Sequence, residues 1–181
     1  MKSTLVKLVD MVLTAGPGGE AGRKEGLKWA VGGMTTLLSG QKLAALSMFA
    51  RGFGQLERGW RERHPEFQGD LKARVEAAIA FYDATHQHPI NRKLHLVGIP
   101  MILGGAVGLI ATPALSPPWL ASAGAFTAGW ALNIVGHAVF EKNAPAFADD
   151  PLSFVVGPIW DAQQLLARGK AFLGARAAGT A

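Results

Sequence analysis

Apolar residues recur at helical spacing twice before the chain turns uniformly hydrophobic. Leu5, Leu8, Val9 and Val12 share one helical face, and Gly16-Pro17-Gly18-Gly19 then breaks the chain. Leu46, Phe49, Phe53, Leu56 and Trp60 follow at steps of three and four, with Arg51, Gln55, Arg58 and Glu62 on the other faces. This stretch predicts an amphipathic helix that packs through a narrow stripe on the rest of the protein or on a partner protomer. Lying in a membrane interface is the alternative. His64-Pro65 ends it, and a further helix is predicted from about Asp70 to about Thr85.

The pattern then changes character. Residues 94 to 140 are forty-seven consecutive positions without one Asp, Glu, Lys or Arg. Leu94–Leu115 is 22 residues long, roughly 33 Å of helix at about 1.5 Å per residue, enough for a hydrocarbon core of about 30 Å. Ser116-Pro117-Pro118 supplies an uncharged turn, and Trp119–Phe140 is a second apolar stretch of 22 residues. The reading is a transmembrane hairpin. Arg92 and Lys93 precede it, Lys142 follows it and its turn is uncharged, so both ends are expected on the cytoplasmic side. A buried hairpin in a soluble all-α protein is the alternative, kept open by a modest mean hydropathy. The hairpin is rich in glycine, and Gly104/Gly108 has the spacing of closely packed membrane helices; homo-oligomerisation is left open. Beyond Asp149-Asp150-Pro151, Leu152–Leu166 reads as a shorter packed, interfacial or re-entrant helix and the Ala/Gly-rich end from Gly169 as a flexible tail.

The expected fold class is therefore all-α: a helical membrane protein with a transmembrane hairpin at about 94–115 and 119–140 and amphipathic N-terminal helices. The expected partition is an N-terminal extension at 1–75, a membrane-embedded domain at 76–168 and the tail at 169–181.

Charge sharpens this picture. Charged residues are only 17% of the 181, and the formal net charge of +5 is entirely N-terminal: residues 1–75 hold twelve basic and seven acidic residues, residues 76–181 six of each. The basic residues are interspersed with acids and form no nucleic-acid motif, so an anionic membrane surface is the better partner. Lys7 and Asp10 interrupt the stretch where a secretory signal would lie. With no cysteine, disulfides, Cys-ligated zinc, iron–sulfur clusters and thiol catalysis are excluded. The motifs of zincins, α/β-hydrolases and P-loop enzymes are missing.

Four of the five histidines, His86, His88, His95 and His137, lie at the edges of the apolar hairpin. Ionisable residues at membrane depth raise a functional hypothesis, and neutral imidazole is the commonest metal ligand. On one unbroken helix His86 and His95 would point about 180° apart. Pro89, however, disfavours helix at His88, and Asn91 suits the N-cap of a helix beginning at Arg92, so the chain turns between them. His137 and Glu141 stand at i and i+4, a spacing that permits two ligands, or a ligand with a carboxylate orienting its ring. If both spans enter from one side, His86, His95, His137 and Glu141 meet at one membrane face. His64 reads as a surface residue, His88 as solvent-facing or supporting, and Tyr82 and Asp83 as helix-end residues.

The segments FYDATHQHPINRKLHLVGIP (81–100) and GHAVFEKNAPAFADDPLSFVVGP (136–158) resemble the fungal endoplasmic-reticulum 2-hydroxy fatty acid dioxygenases and their bacterial relatives. The likeness covers about residues 78 to 166 and rests on Tyr82, His86, Pro89, Asn91, His95 and Pro100, then Gly136, His137, Glu141, Lys142, Pro145 and Pro158. It implies an Fe(II)-dependent membrane dioxygenase that shortens a long-chain 2-hydroxy fatty acid by one carbon with O₂, in fatty acid α-oxidation. It places iron on His86, His95 and His137, with Glu141 as a further ligand or supporting base and Asn91 beside it in the catalytic set. For a bacterial relative it implies the inner membrane. A di-iron hydroxylase, which needs about eight histidines, and a scaffold whose histidines only cap helices are the competing readings.

Overall fold

The computed structural model describes residues 19–178, with side chains described through Gln164 and at Leu166. Six α-helices and no strand occur among the described residues: α1 (Gly19–Leu37), α2 (Lys42–Arg63), α3 (Leu71–Thr85), α4 (Pro89–Ala111), α5 (Pro117–Val135) and α6 (Ser153–Ala178). The helix expected over Leu5–Val12 lies outside the described residues.

Two helical hairpins lie side by side. α4 and α5 are the only helices of the described chain long and apolar enough to cross a membrane, α5 being extended to Glu141 by a turn of π-helix. Only 22% and 28% of their most apolar windows are buried inside the protein. Val97, Leu103, Val107, Leu120, Ile134 and Val139 face outward, leaving large apolar side chains exposed along both helices.

The spans begin earlier than expected. The N-cap of α4 is His88, whose Nδ1 accepts from the Ile90 backbone N–H at 3.2 Å, and not Asn91. The reason is Pro89: at the first helical position its missing N–H costs nothing and its fixed φ favours the helix, so α4 starts three residues sooner and carries Asn91 inside it. Ser116 caps α5 in the same way, with Pro117 next.

The spans approach each other through Gly98, Gly105, Gly108 and Gly129. A Cβ on Gly98 would overlap the Asn133 amide oxygen and crowd the Gly129 carbonyl; one on Gly104 would meet nothing. The small-residue seam is therefore rotated from the Gly104/Gly108 line suggested by sequence spacing.

Beside this pair, α1 and α2 pack through Gly26, Gly33 and Gly52, where a Cβ on Gly52 would strike the backbone of Ala30. Leu37 and Ala45 from this hairpin close a core with Leu109, Trp119 and Phe126 from the apolar one. Lys42 extends the contact to the far tip, where its ammonium donates to the carbonyls of Ile110 (2.7 Å) and Thr112 (2.6 Å), the unpaired C-terminal end of α4. At the opposite end Arg23 pairs with Asp149, and Arg74 on α3 donates to both Asp150 and Glu57 while lying 3.5 Å over the Trp60 ring.

α3, started by the Asp70 cap, and α6 pack below the spans around Ala78, Tyr82, Val156 and Trp160. α6 does not stop at the expected end near Leu166; it continues past Gly169 to Ala178.

Candidate metal centre

The short connection between α3 and α4 makes the first half of the site. α3 ends with His86 as its C-cap, and Arg92, one turn into α4, donates to the His86 carbonyl at 2.5 Å and to Asp83 at 3.2 Å. That clamp folds the chain back within three residues, so His86 and His95 face each other with ring centroids 4.7 Å apart. His137 arrives from the end of α5, 4.8 Å from His86 and 5.0 Å from His95. The three rings are nearly mutually perpendicular, at 80° to 83°. All three residues are buried, and their candidate ligand atoms lie within 4.8 Å of one another.

Each ring is held by its Nδ1. His86 Nδ1 lies 2.7 Å from the Tyr82 carbonyl, His95 Nδ1 3.1 Å from the Asn91 carbonyl, and His137 Nδ1 2.7 Å from the side-chain oxygen of Asn143. All three partners are acceptors, so each Nδ1 carries the proton and each Nε2 keeps its lone pair. Burial pushes the His86 imidazole down to about 4, so it is neutral at physiological pH. His86 Nε2 is buried without a hydrogen-bond partner. Three neutral imidazoles with lone pairs in one small space cannot satisfy one another, because none has a proton there to give; the group could hold a metal ion, which would be the missing partner.

The i, i+4 expectation for His137 and Glu141 fails for a geometric reason. Gly136–Glu141 is π-helical, so the residues are wound out of α phase and His137 Nδ1 takes Asn143, not Glu141, as its partner. The Glu141 Oε1 instead accepts from the His88 backbone N–H at 2.7 Å and from the Asn91 amide at 3.1 Å, which ties the end of α5 to the start of α4. Glu141 lies outside the three-histidine group, and Asn91 is fully buried, holding His95 through its backbone carbonyl.

The partner of His137 is Asn143, which the sequence reading did not single out. Lys142 adopts the left-handed conformation (φ 57°, ψ 36°), stopping the π-turn and bringing Asn143 back under His137. The Asn143 amide nitrogen donates to the Thr85 carbonyl at 3.0 Å, which fixes its oxygen toward the ring. Tyr82 is also more than a helix-end residue: it stacks on His86 at 3.8 Å and donates to Asp161 of α6 at 3.4 Å. Burial pushes the Asp161 carboxyl up to about 6. A lone acid beside Trp160 in an apolar helix was the only sequence sign of it. His64 stacks on Trp60 far from the centre, and His88 caps α4.

The histidines line a cleft of about 90 Å³ whose other walls are mostly apolar, among them Ile99, Ile102, Leu103, Trp130, Phe147 and Phe154. Asn133 and Ser153 add polar atoms to its lining, and the Asn133 Oδ1 and Ser153 Oγ are buried without protein partners.

The described residues define a class: an all-helical protein with two helices long and apolar enough to cross a membrane and a buried three-histidine group that could hold a metal, set in a mostly apolar cleft. The chain belongs to the Mpo1-like family, described as 2-hydroxy-palmitic acid dioxygenase Mpo1-like, whose model matches residues 73–168. That span contains all three histidines, Asn143 and Asp161. No curated protein and no solved structure matches the chain significantly.

Proposed function

We propose that the protein is an Fe(II)-dependent membrane dioxygenase that shortens a long-chain 2-hydroxy fatty acid by one carbon with O₂. The observation that carries this reading is the set of three buried, Nδ1-anchored imidazoles whose ligand atoms lie within 4.8 Å of one another in the wall of a mostly apolar cleft. His86, His95 and His137 would hold the metal; bound there, ferrous iron supplies the redox chemistry that O₂ requires, with coordination positions left open beyond three nitrogen ligands. A 2-hydroxycarboxylate offers two oxygens to one metal, whereas an unhydroxylated acid offers only its carboxylate.

The chain's own residues do the rest. Ser153 and Asn133 supply hydrogen-bonding groups for the polar head of the substrate, and Ile99, Ile102, Leu103 and Phe147 enclose its alkyl chain and exclude water. Glu141 and Asn91 position rather than ligate: they lock the base of α5 to the start of α4 and so set the distance between His95 and His137. The spanning hairpin lies in the bacterial inner membrane with both ends cytoplasmic, which places the histidine centre at the cytoplasmic face, where an amphiphilic acid can enter from the bilayer.

The test is metal analysis of the purified protein with O₂ uptake. One iron per chain, lost to chelators, and uptake stimulated by long-chain 2-hydroxy fatty acids but not by the parent acids are expected. Stoichiometric zinc without O₂ uptake would overturn the oxygenase reading. Recovery of the protein in the soluble fraction, without a carbonate-resistant membrane pool, would overturn the spanning hairpin.

A further inference from the structure

A second apolar hollow, of about 320 Å³, lies between the α1–α2 hairpin and the spanning pair. Its walls include Met34 from α1, Leu46, Phe49 and Phe53 from α2, and Ala106 and Ile110 from α4. Four residues, Ile102, Leu103, Trp130 and Phe154, line both this chamber and the histidine cleft. The partition is therefore a layer of side chains, with Phe154 in edge contact with Phe49 on one side (5.2 Å) and stacked on Phe147 on the other (4.5 Å).

The family match begins at residue 73, so α1 and α2 lie outside the matched span. They are held in place by buried and capping contacts: Lys42 on the carbonyl end of α4, and Glu57 with Arg74 and, through Arg74, Asp150. Between Lys28 and Arg51 this hairpin has no charge except Lys42. It thus presents an uncharged wall alongside the spanning helices instead of leaving that flank open to lipid.

We infer that the α1–α2 hairpin forms the distal half of the substrate tunnel and sets the length of acyl chain the enzyme accepts, with the alkyl tail crossing the partition where the Trp130 and Phe154 rings, in edge contact at 6.2 Å, swing apart to admit it, and ending against Phe49 and Phe53. This rests on the proposed oxidation of a fatty acid. The chemistry of the walls supports it: the chamber carries almost no polar surface, it shares a wall of four side chains with the cleft that holds the histidines, and each methylene moved into such surroundings adds roughly fourfold to affinity. A chain too short to pass the partition forgoes that gain; one longer than the chamber meets the aromatic pair on α2.

Photo-crosslinking of the whole protein in membranes tests it, using 2-hydroxy fatty acids of medium and long chain with a diazirine at the terminal carbon and locating the label by peptide mass spectrometry. The long-chain probe is expected to label α1 and α2 residues around Met34, Phe49 and Phe53, displaceably by unlabelled acid, and the medium-chain probe to label the cleft near Ile99 and Phe147. Ala106→Phe, which narrows the chamber from α4, is expected to lower the ratio of long-chain to medium-chain binding and turnover by about tenfold or more, a few methylenes' worth of contact. Displaceable labelling by the long-chain probe confined to the cleft or to the outer face of the spans overturns the inference, as does an unchanged ratio in folded Ala106→Phe protein. Labelling on α2 by hydroxylated and plain acids alike, with no O₂ uptake, would keep the tunnel and overturn the dioxygenase reading instead. Hydroxyl-dependent O₂ uptake with the label elsewhere would do the reverse.

Discussion

Asn143→Leu separates a metal centre from a histidine cluster that merely fills a core. Leucine matches the asparagine in size but removes both of its hydrogen bonds, leaving the His137 Nδ1–H, now 2.7 Å from the Asn143 oxygen, and the Thr85 carbonyl, 3.0 Å from its nitrogen, without partners. Loss of the orienting acceptor frees the His137 ring to rotate and to move its proton to Nε2, where a protonated nitrogen cannot ligate. Partners of this kind are worth about 10–100-fold in metal affinity, or roughly 1.4–2.8 kcal/mol. Of the two orphaned groups His137 is buried and the Thr85 carbonyl half-buried, so the metal-free fold loses about 1–3 kcal/mol. Asn143→Asp behaves differently: its carboxylate accepts from His137 and raises the ring's basicity, but repels the Thr85 carbonyl. It should keep metal affinity while losing stability. Competition with a calibrated chelator reads affinity, and thermal unfolding of the metal-free protein reads stability. Wild-type metal affinity in a folded Asn143→Leu protein would refute the reasoning, because the ring's orientation would then owe nothing to Asn143.

The ion network that docks α2 onto the family core should be among the most sensitive structural sites. Arg74 and Asp150 are each 1% exposed, so Arg74→Met strands a buried carboxylate and should cost about 3–5 kcal/mol in denaturant unfolding; a loss well under 1 kcal/mol would show that Asp150 finds water. Asp161, raised to about 6 by burial, binds its proton more tightly folded than unfolded. Stability from that group is present below about pH 4 and lost as pH rises toward about 6. Asp161→Asn should therefore raise the unfolding temperature above about pH 6 and change it little below about pH 4, and the opposite ordering would contradict the burial argument. Gly98→Ala must force the Asn133 amide and the Gly129 backbone apart and should collapse both metal binding and stability, whereas Gly104→Ala, with open space around it, should be neutral or gain a few tenths of a kcal/mol in helix propensity. Equal effects of the two would mean the spans do not meet on the Gly98 face.

What could be read from the chain and what could not divide along a physical line. The convergence of His86, His95 and His137 followed from chain direction alone: a proline-broken turn between two histidines, and two apolar stretches of equal length that bring the start of one and the end of the other to the same level. Direction is set locally, by Pro89, Ser116 and the Asp70 cap, so it is legible. Angular phase is not. Asn91 looked like a cap because it is a good one, yet Pro89 makes an earlier start cheaper and rotates Asn91 inside the helix. Gly136–Glu141 reads as continued α-helix; its π winding, stopped by a left-handed Lys142, turns Glu141 toward Asn91 and hands His137 to Asn143. No local propensity favours that winding, whose return is the satisfied network around His88, Asn91 and Thr85, assembled from elements fifty or more residues apart. The same holds for the glycine seam, where spacing identified small residues but not the face they occupy, and for α1–α2, whose stripe showed that the hairpin packs without showing on what. The meeting of the three histidines can thus be inferred from topology, but the groups that aim them depend on a fraction of a helical turn, and that fraction is decided by tertiary hydrogen bonds.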